Sequence, residues 1–154
     1  MVIIGIDPAM RKNGFALCLH DTSDNSIDFL VMEFTDFIFY VTSLPEGEYQ
    51  FCVENSNLQN LSFDMRGNKN IVARKSRNVG MNQAVSQLTC DYLKKCNYKV
   101  IELSPKQKGE KMTKETAKVL LTQFSEVNNY KGLVSEQDKR DAFKLVLLAI
   151  SGKY

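Results

Sequence analysis

Two short apolar runs, VIIGIDP at 2–8 and GFALCLH at 14–20, stand on either side of a polar link. Nothing else in the chain constrains the fold as much. Runs of this length, rich in Ile and Val, read as β-strands rather than helices. The link Arg11-Lys12-Asn13 is hairpin chemistry, with Gly14 free to take a positive φ. The chain therefore opens on an antiparallel pair. The first run carries an anomaly, because Asp7 sits where a strand should be buried, directly before Pro8.

The later pattern extends this hairpin into a sheet. IDFLVMEF, 27–34, follows the turn DTSDNS and gives a third strand, while TDFIFYVTSL, 35–44, suits a strand or a buried helix. YQFCVE, 49–54, is a strand that also ends on an acid, Glu54, and YKVIEL, 98–103, is a fifth, stopped by Ser104-Pro105. Residues 55–79 are polar, Asn-rich and basic without sustained periodicity, which reads as a long loop, and such loops are usually functional or mobile. From Gly80 to about Lys95 the apolar residues recur at helical spacing. Further helices open at Thr113 and at about Ser135, the last with Ala142, Phe143, Leu145, Val146, Ala149 and Ile150 as its buried stripe. A three-strand meander followed by alternating helix and strand predicts one α/β domain over 1–154: a mixed five-stranded sheet with helices on both faces.

Composition removes several classes of function. With 44% hydrophobic and 25% charged residues the chain is of ordinary globular type. It holds no apolar stretch of transmembrane length and no signal-peptide pattern, so a cytoplasmic setting without membrane contact is expected. Cys18, Cys52, Cys90 and Cys96 show no C-x-x-C spacing and the only histidine is His20, at the end of a strand. Reduced, structural thiols are expected rather than a zinc site.

The net charge of +2 is uninformative, but its distribution is not. Residues 65–89 contain Arg66, Lys69, Arg74, Lys75 and Arg77 and no acid; residues 105–118 hold Lys106, Lys108, Lys111, Lys114 and Lys118 against two glutamates. Two basic tracts in a nearly neutral chain suit a polyanion, and equally a solvated loop and a solvated helix face.

The acids decide more. Asp7 and Glu54 end two strands, and Asp138 and Asp141, three residues apart, share one face of the last helix. Singly, each has a local explanation: a turn before proline, a helix start, a strand end. Together, four carboxylates converging where strand ends meet a helix start suit hard divalent cations, Mg²⁺ or Mn²⁺. A two-metal carboxylate site beside basic tracts is a layout for in-line phosphodiester hydrolysis, and it needs no Ser, Cys or His nucleophile.

At these residues the chain resembles the RuvC-like Holliday-junction resolvases of the ribonuclease H-like superfamily. "GIDPAMRKNGFAL" is similar to the family's first motif, with Gly5-Ile6-Asp7-Pro8 and Gly14-Phe15 matching and Ala9 standing where a glycine is usual. "FCVEN" is similar to the strand ending in the second acid, and "DKRDAFKLVLLAI" to the closing D-x-x-D-A helix. Between them, the glycine-started helix at Gly80, a short strand, Ser104-Pro105 and a lysine-rich segment follow in the family's order. The resemblance implies a ribonuclease H-like fold and a homodimeric, metal-dependent endonuclease. Such an enzyme nicks four-way DNA junctions in pairs, leaving 5′-phosphate and 3′-hydroxyl ends. It implies Asp7, Glu54, Asp138 and Asp141 as ligands of two Mg²⁺ ions, with Mn²⁺ able to substitute. It also implies Lys106 or Lys108 as the phosphate-facing base. DNA contacts are expected from Arg66, Lys69, Arg74, Lys75, Arg77, Lys106, Lys108, Lys111 and Lys114. The stretch between Glu54 and Gly80 is longer than the family's, and Phe63 is a candidate for the aromatic that wedges the junction.

Other functions fit the same residues less well. A nuclease of flaps, RNA–DNA hybrids or general branches would use the same four acids. A non-catalytic binding module of this fold has no need to keep all four. An actin-like phosphotransferase needs two lobes and a glycine-rich phosphate loop, which this length and sequence do not supply.

Overall fold

The computed structural model describes residues 1–9, 14–59, 68–129 and 137–153. The strands β1 (Val2–Asp7), β2 (Phe15–Asp21) and β3 (Ser26–Met32) form the antiparallel meander expected from the opening runs. Gly14 is required at the start of β2. It has φ +66°, and a Cβ there would stand 2.0 Å from the carbonyl oxygen of Met32. β4 (Tyr49–Glu54) then pairs parallel to β1, and β5 (Lys99–Leu103) parallel to β4. A short β6 (Glu126–Val127) runs parallel to β3. The order β5-β4-β1-β2-β3-β6 is the expected mixed sheet, an antiparallel meander with parallel strands beside it, with six strands rather than five. The added strand has only two residues, too few for any alternation to show, and it is held by pairing with Ser26 and Ile27.

Period-two alternation sends successive side chains to opposite faces of the sheet, and each face has its own helices. Ile4 and Ile6 of β1 and Phe51 and Val53 of β4 pack with Phe37 and Val41 of α1 (Phe34–Thr42) and Val85 and Leu93 of α2 (Lys69–Lys95). On the other face, Ile3, Cys18 and Phe29 pack with Ala117 and Leu121 of α4 (Lys114–Leu121) and Phe143 and Val146 of α5 (Gln137–Ser151). Between β5 and α4 lies a single helical turn, α3 (Pro105–Lys108).

One segment that the sequence left open between strand and buried helix is settled, and another differs from the reading. Residues 34–42 are helical: Phe37 and Val41, one turn apart, are the buried pair, while Phe39 points to solvent and blurs the pattern. The long loop expected over 55–79 is in part structured. A 3-10 turn covers Ser56–Leu58, and α2 begins at Lys69, well before Gly80, with the Asn68 side chain accepting from the amide of Asn70. The first turns of α2 bury no side chain, so they need no apolar face and leave no periodic trace. Residues 60–67, with Phe63 and Arg66, lie outside the described residues. All four cysteines are unpaired, and burial pushes the thiols of Cys52 and Cys90 up to about 12, as suits inert thiols. Among the described residues no helix is long and apolar enough to cross a membrane.

Candidate active site

The sheet register sets the first two acids side by side. Ile6 of β1 pairs with Val53 of β4, so Asp7 and Glu54 are the next positions on neighbouring parallel strands, about 4.8 Å apart. Alternation turns both to the face that α5 covers, the face of Ile3 and Cys52. Gly5 lets α5 come close enough to matter. A Cβ at this position would lie 2.2 Å from the Ala142 carbonyl oxygen and 3.0 Å from Val146 Cγ2. The missing side chain brings the helix backbone down onto β1 and carries Asp141, the residue before Ala142, to the strand ends. A cavity of about 210 Å³ opens there, and Asp7, Glu54, Asp138 and Asp141 all line it.

A cation already lies among these acids. The Ser104 hydroxyl accepts from the amide of Gln107, and the Gln107 side chain accepts from the Ser104 amide, so a reciprocal cap starts α3 where β5 ends. That turn delivers Lys108, which is buried, with Nζ in ion-pair contact with Glu54 Oε2 and 3.1 Å from Asp141 Oδ2. Burial pulls the Lys108 ammonium down, but the charges of Asp7, Glu54 and Asp141 outweigh it and hold the group above the ordinary lysine value. Lys108 therefore carries a positive charge among these acids. Burial pushes the Asp7 carboxyl up to about 8; Lys108 works against this, while Glu54, Asp141 and Asp138 reinforce it. Apart from that ammonium, the buried Glu54 Oε2 has no polar partner among the described residues.

These donors suit a hard divalent cation in kind: anionic oxygens, one of them met by the ammonium alone, in a cavity whose field already holds a positive charge. As the side chains lie, no three His, Cys, Asp or Glu among the described residues are grouped to hold one ion. Lys108 takes up the space between Glu54 and Asp141.

Several supporting residues escape a reading of the sequence by acid motifs. Gln137 Nε2 donates to Asp141 Oδ1 at 2.8 Å, and Arg140 donates to Gln137 Oε1 at 2.8 Å and to the Met112 carbonyl at 3.1 Å. Arg140 thereby fixes which end of the Gln137 amide faces Asp141. On the opposite face of the sheet, the fully buried Asn55 donates to Glu102 Oε2 at 2.6 Å and accepts from the amide of Asn57, anchoring the strand end that carries Glu54. The signals were present: Gln137 is one helical turn before Asp141, and Asn55 directly follows Glu54. Ala9 borders the cavity and is not among the positive-φ residues, so the backbone at that position does not call for glycine.

The basic residues divide by location. Lys111 borders the cavity; Lys106 and Lys114 are exposed on α3 and at the start of α4. Lys69, Arg74, Lys75 and Arg77 are exposed on the first turns of α2, and among the described residues none of them is in an ion pair.

No family model matches the chain, and no curated protein matches it by sequence. Among solved structures, RuvC of T. thermophilus in complex with Holliday junction substrate is similar at 15% identity and a TM-score of 0.49, over 99% of this chain and 97% of that one.

Proposed function

We propose that this chain is a divalent-metal-dependent endonuclease that resolves four-way DNA junctions by paired phosphodiester hydrolysis. The observation that carries the reading is the meeting of Asp7, Glu54, Asp138 and Asp141, drawn from two strands and a helix, around one cavity with a lysine ammonium at its centre. Asp7, Glu54, Asp138 and Asp141 would hold two Mg²⁺ ions, or Mn²⁺ in their place. Bound there, such ions supply an activated water and neutralise charge on the scissile phosphate. Lys108 leaves the carboxylates and turns its charge to that phosphate, while Lys111 holds a phosphate at the rim. Gln137 and Arg140 keep Asp141 in one orientation. The exposed basic turns of α2, with Lys69, Arg74, Lys75 and Arg77, and the lysines at 106 and 114 lie along the arms of the branched DNA. Arg66 joins them on the DNA. The active form is a homodimer, so that two sites nick opposed strands. Met81 and Leu88, exposed two turns apart on α2, offer an apolar strip for pairing.

A substrate panel tests this reading. Synthetic four-way junction, flap, RNA–DNA hybrid and linear duplex are compared at one salt concentration, with and without Mg²⁺, and the nicks are mapped. The expected result is symmetric, Mg²⁺-dependent nicks with 5′-phosphate ends in the junction above all. Equal cutting of flaps or hybrids would make the chain a broader structure-selective nuclease. Junction binding without metal-dependent nicking would make it a binding module.

A further inference from the structure

A second cavity, of about 530 Å³, lies along the outward face of α5, beyond Asp141. Its floor is apolar, formed by Met112, Leu120, Leu147 and Leu148, with the hydroxyl residues Thr113 and Thr116 on one wall. Two cations and one acid line it, Lys111, Lys144 and Glu110; Lys144 Nζ donates to the Glu110 carbonyl and so ties the loop before α4 to α5. The size lies within the range of about 300–1,000 Å³ that small-molecule pockets occupy.

Three features point to the same kind of occupant. Lys111 lines this cavity and the acid-lined one, so the two are neighbours joined by a cation. Asp141, Lys144 and Leu148 succeed one another by single turns of α5, which puts the apolar floor about 10 Å along the helix axis from Asp141. That is a span of about three nucleotides at about 3.4 Å each. The lining also combines an apolar floor, hydroxyls able to donate and accept, and two lysines at the rim beside Glu110. Apolar walls with polar contacts at one edge are elements that receive an extruded base, and a lysine beside them can meet its phosphate. A buried acidic side chain of a partner protein would use the lysines but not the link to the carboxylate cavity.

We propose that this cavity is a nucleobase pocket. It takes one unstacked base of the strand under cleavage, and Lys111 grips the phosphate between that base and the four acids. Met112, Leu120, Leu147 and Leu148 enclose the base, and the Thr113 and Thr116 hydroxyls meet its polar edge. The pocket thus fixes the register of the strand over the site and gives the cut a preference for particular bases. This inference rests on the nuclease reading.

The test measures metal-free binding of the full chain to four-way junctions carrying a single abasic site. The abasic site is placed in turn at each of the three nucleotides on either side of the nick. One position should weaken binding by about 5-fold, the lower end of what a stacked base contributes, since the floor is formed by aliphatic and Met side chains. Thr116→Phe, which fills the slot from its exposed wall, should weaken binding of the intact junction by a similar factor. In that variant the sensitive abasic site should have no further effect. Equal affinity at all positions would overturn the pocket and leave it to a protein side chain, and so would full additivity of the abasic site with Thr116→Phe. If the intact junction is bound and nicked while every abasic form binds equally, the pocket alone falls. If the junction is neither bound nor nicked, the nuclease reading falls and the pocket with it.

Discussion

Gly5→Ala is the smallest change that separates the helix from the strand ends. A methyl group built on Gly5 would stand 2.2 Å from the Ala142 carbonyl oxygen, 3.0 Å from Val146 Cγ2 and 3.1 Å from Val146 N. Two of these atoms are backbone, so no side-chain rotation relieves the contact and α5 has to retreat by about 1 Å to reach an ordinary separation. Overpacking of this kind costs about 1–3 kcal/mol. At about 2–4 °C per kcal/mol for a chain of this size, that is a fall in Tm of roughly 2–12 °C. Asp141 travels with Ala142, and a shift of about 1 Å at a reacting centre costs about 100-fold in rate. Circular dichroism melting and a junction-nicking time course measure the two effects on one preparation. Gly80→Ala is the matched control: among the described residues nothing lies within 4 Å of a Cβ there, and in a helix interior alanine should stabilise by about 0.5–1 kcal/mol. A Gly5→Ala protein with wild-type Tm and wild-type nicking would refute the close approach of α5 to β1.

Other perturbations probe different parts of the molecule. Burial raises the Glu102 carboxyl, but hydrogen bonds from Lys94 and Asn55 outweigh it and hold it below the ordinary value of 4.5. A depressed folded-state pKa gives stability that is present above about pH 4.5 and lost as pH falls through the folded value. The Tm advantage of wild type over Glu102→Gln should therefore narrow below that pH; an equal gap from pH 7 to pH 3 would contradict it. Replacing Arg74, Lys75 and Arg77 together by alanine should leave Tm nearly unchanged, since all three are exposed. It should also flatten the slope of log affinity against log salt for junction binding by about 2–3, at about 0.9 for each phosphate no longer neutralised. An unchanged slope would remove the first turns of α2 from the DNA interface. Gln137→Ala should lower metal affinity measured by calorimetry, with Gln137→Glu failing to restore it, because the Gln137 amide donates to Asp141 Oδ1 at 2.8 Å and a carboxylate would repel it.

The fold was legible wherever burial imposes a period. The runs at 2–7, 15–21 and 49–54 alternate between two covered faces, and their apolar residues announce them. The first turns of α2 bury no side chain, so the only local signal of the helix is the cap at Asn68. The two residues of β6 exist as a strand only because β3 offers an edge, which no local pattern encodes. At the site the contrast is similar. Asp7 and Glu54 stand out because a carboxylate is conspicuous at the end of an apolar strand. Lys108 is one lysine among five in its tract, and only the Ser104–Gln107 cap and the turn after β5 select it over the exposed Lys106 for the centre of the cavity. Gln137 and Asn55 carry no charge to attract notice; Gln137 acts one helical turn away on Asp141, and the Asn55–Glu102 bond joins the end of β4 to β5.

Asp7→Asn tests the central claim most directly. The substitution keeps the size of the side chain and removes its ability to ionise at the point where the two strands and α5 meet. Binding and nicking of a synthetic four-way junction are measured for both proteins at the same salt and Mg²⁺ concentrations. Junction affinity is expected within about twofold of wild type, well under 1 kcal/mol, with nicking lost. Wild-type nicking by Asp7→Asn would contradict it, because the cavity would then not be where the phosphodiester is cut.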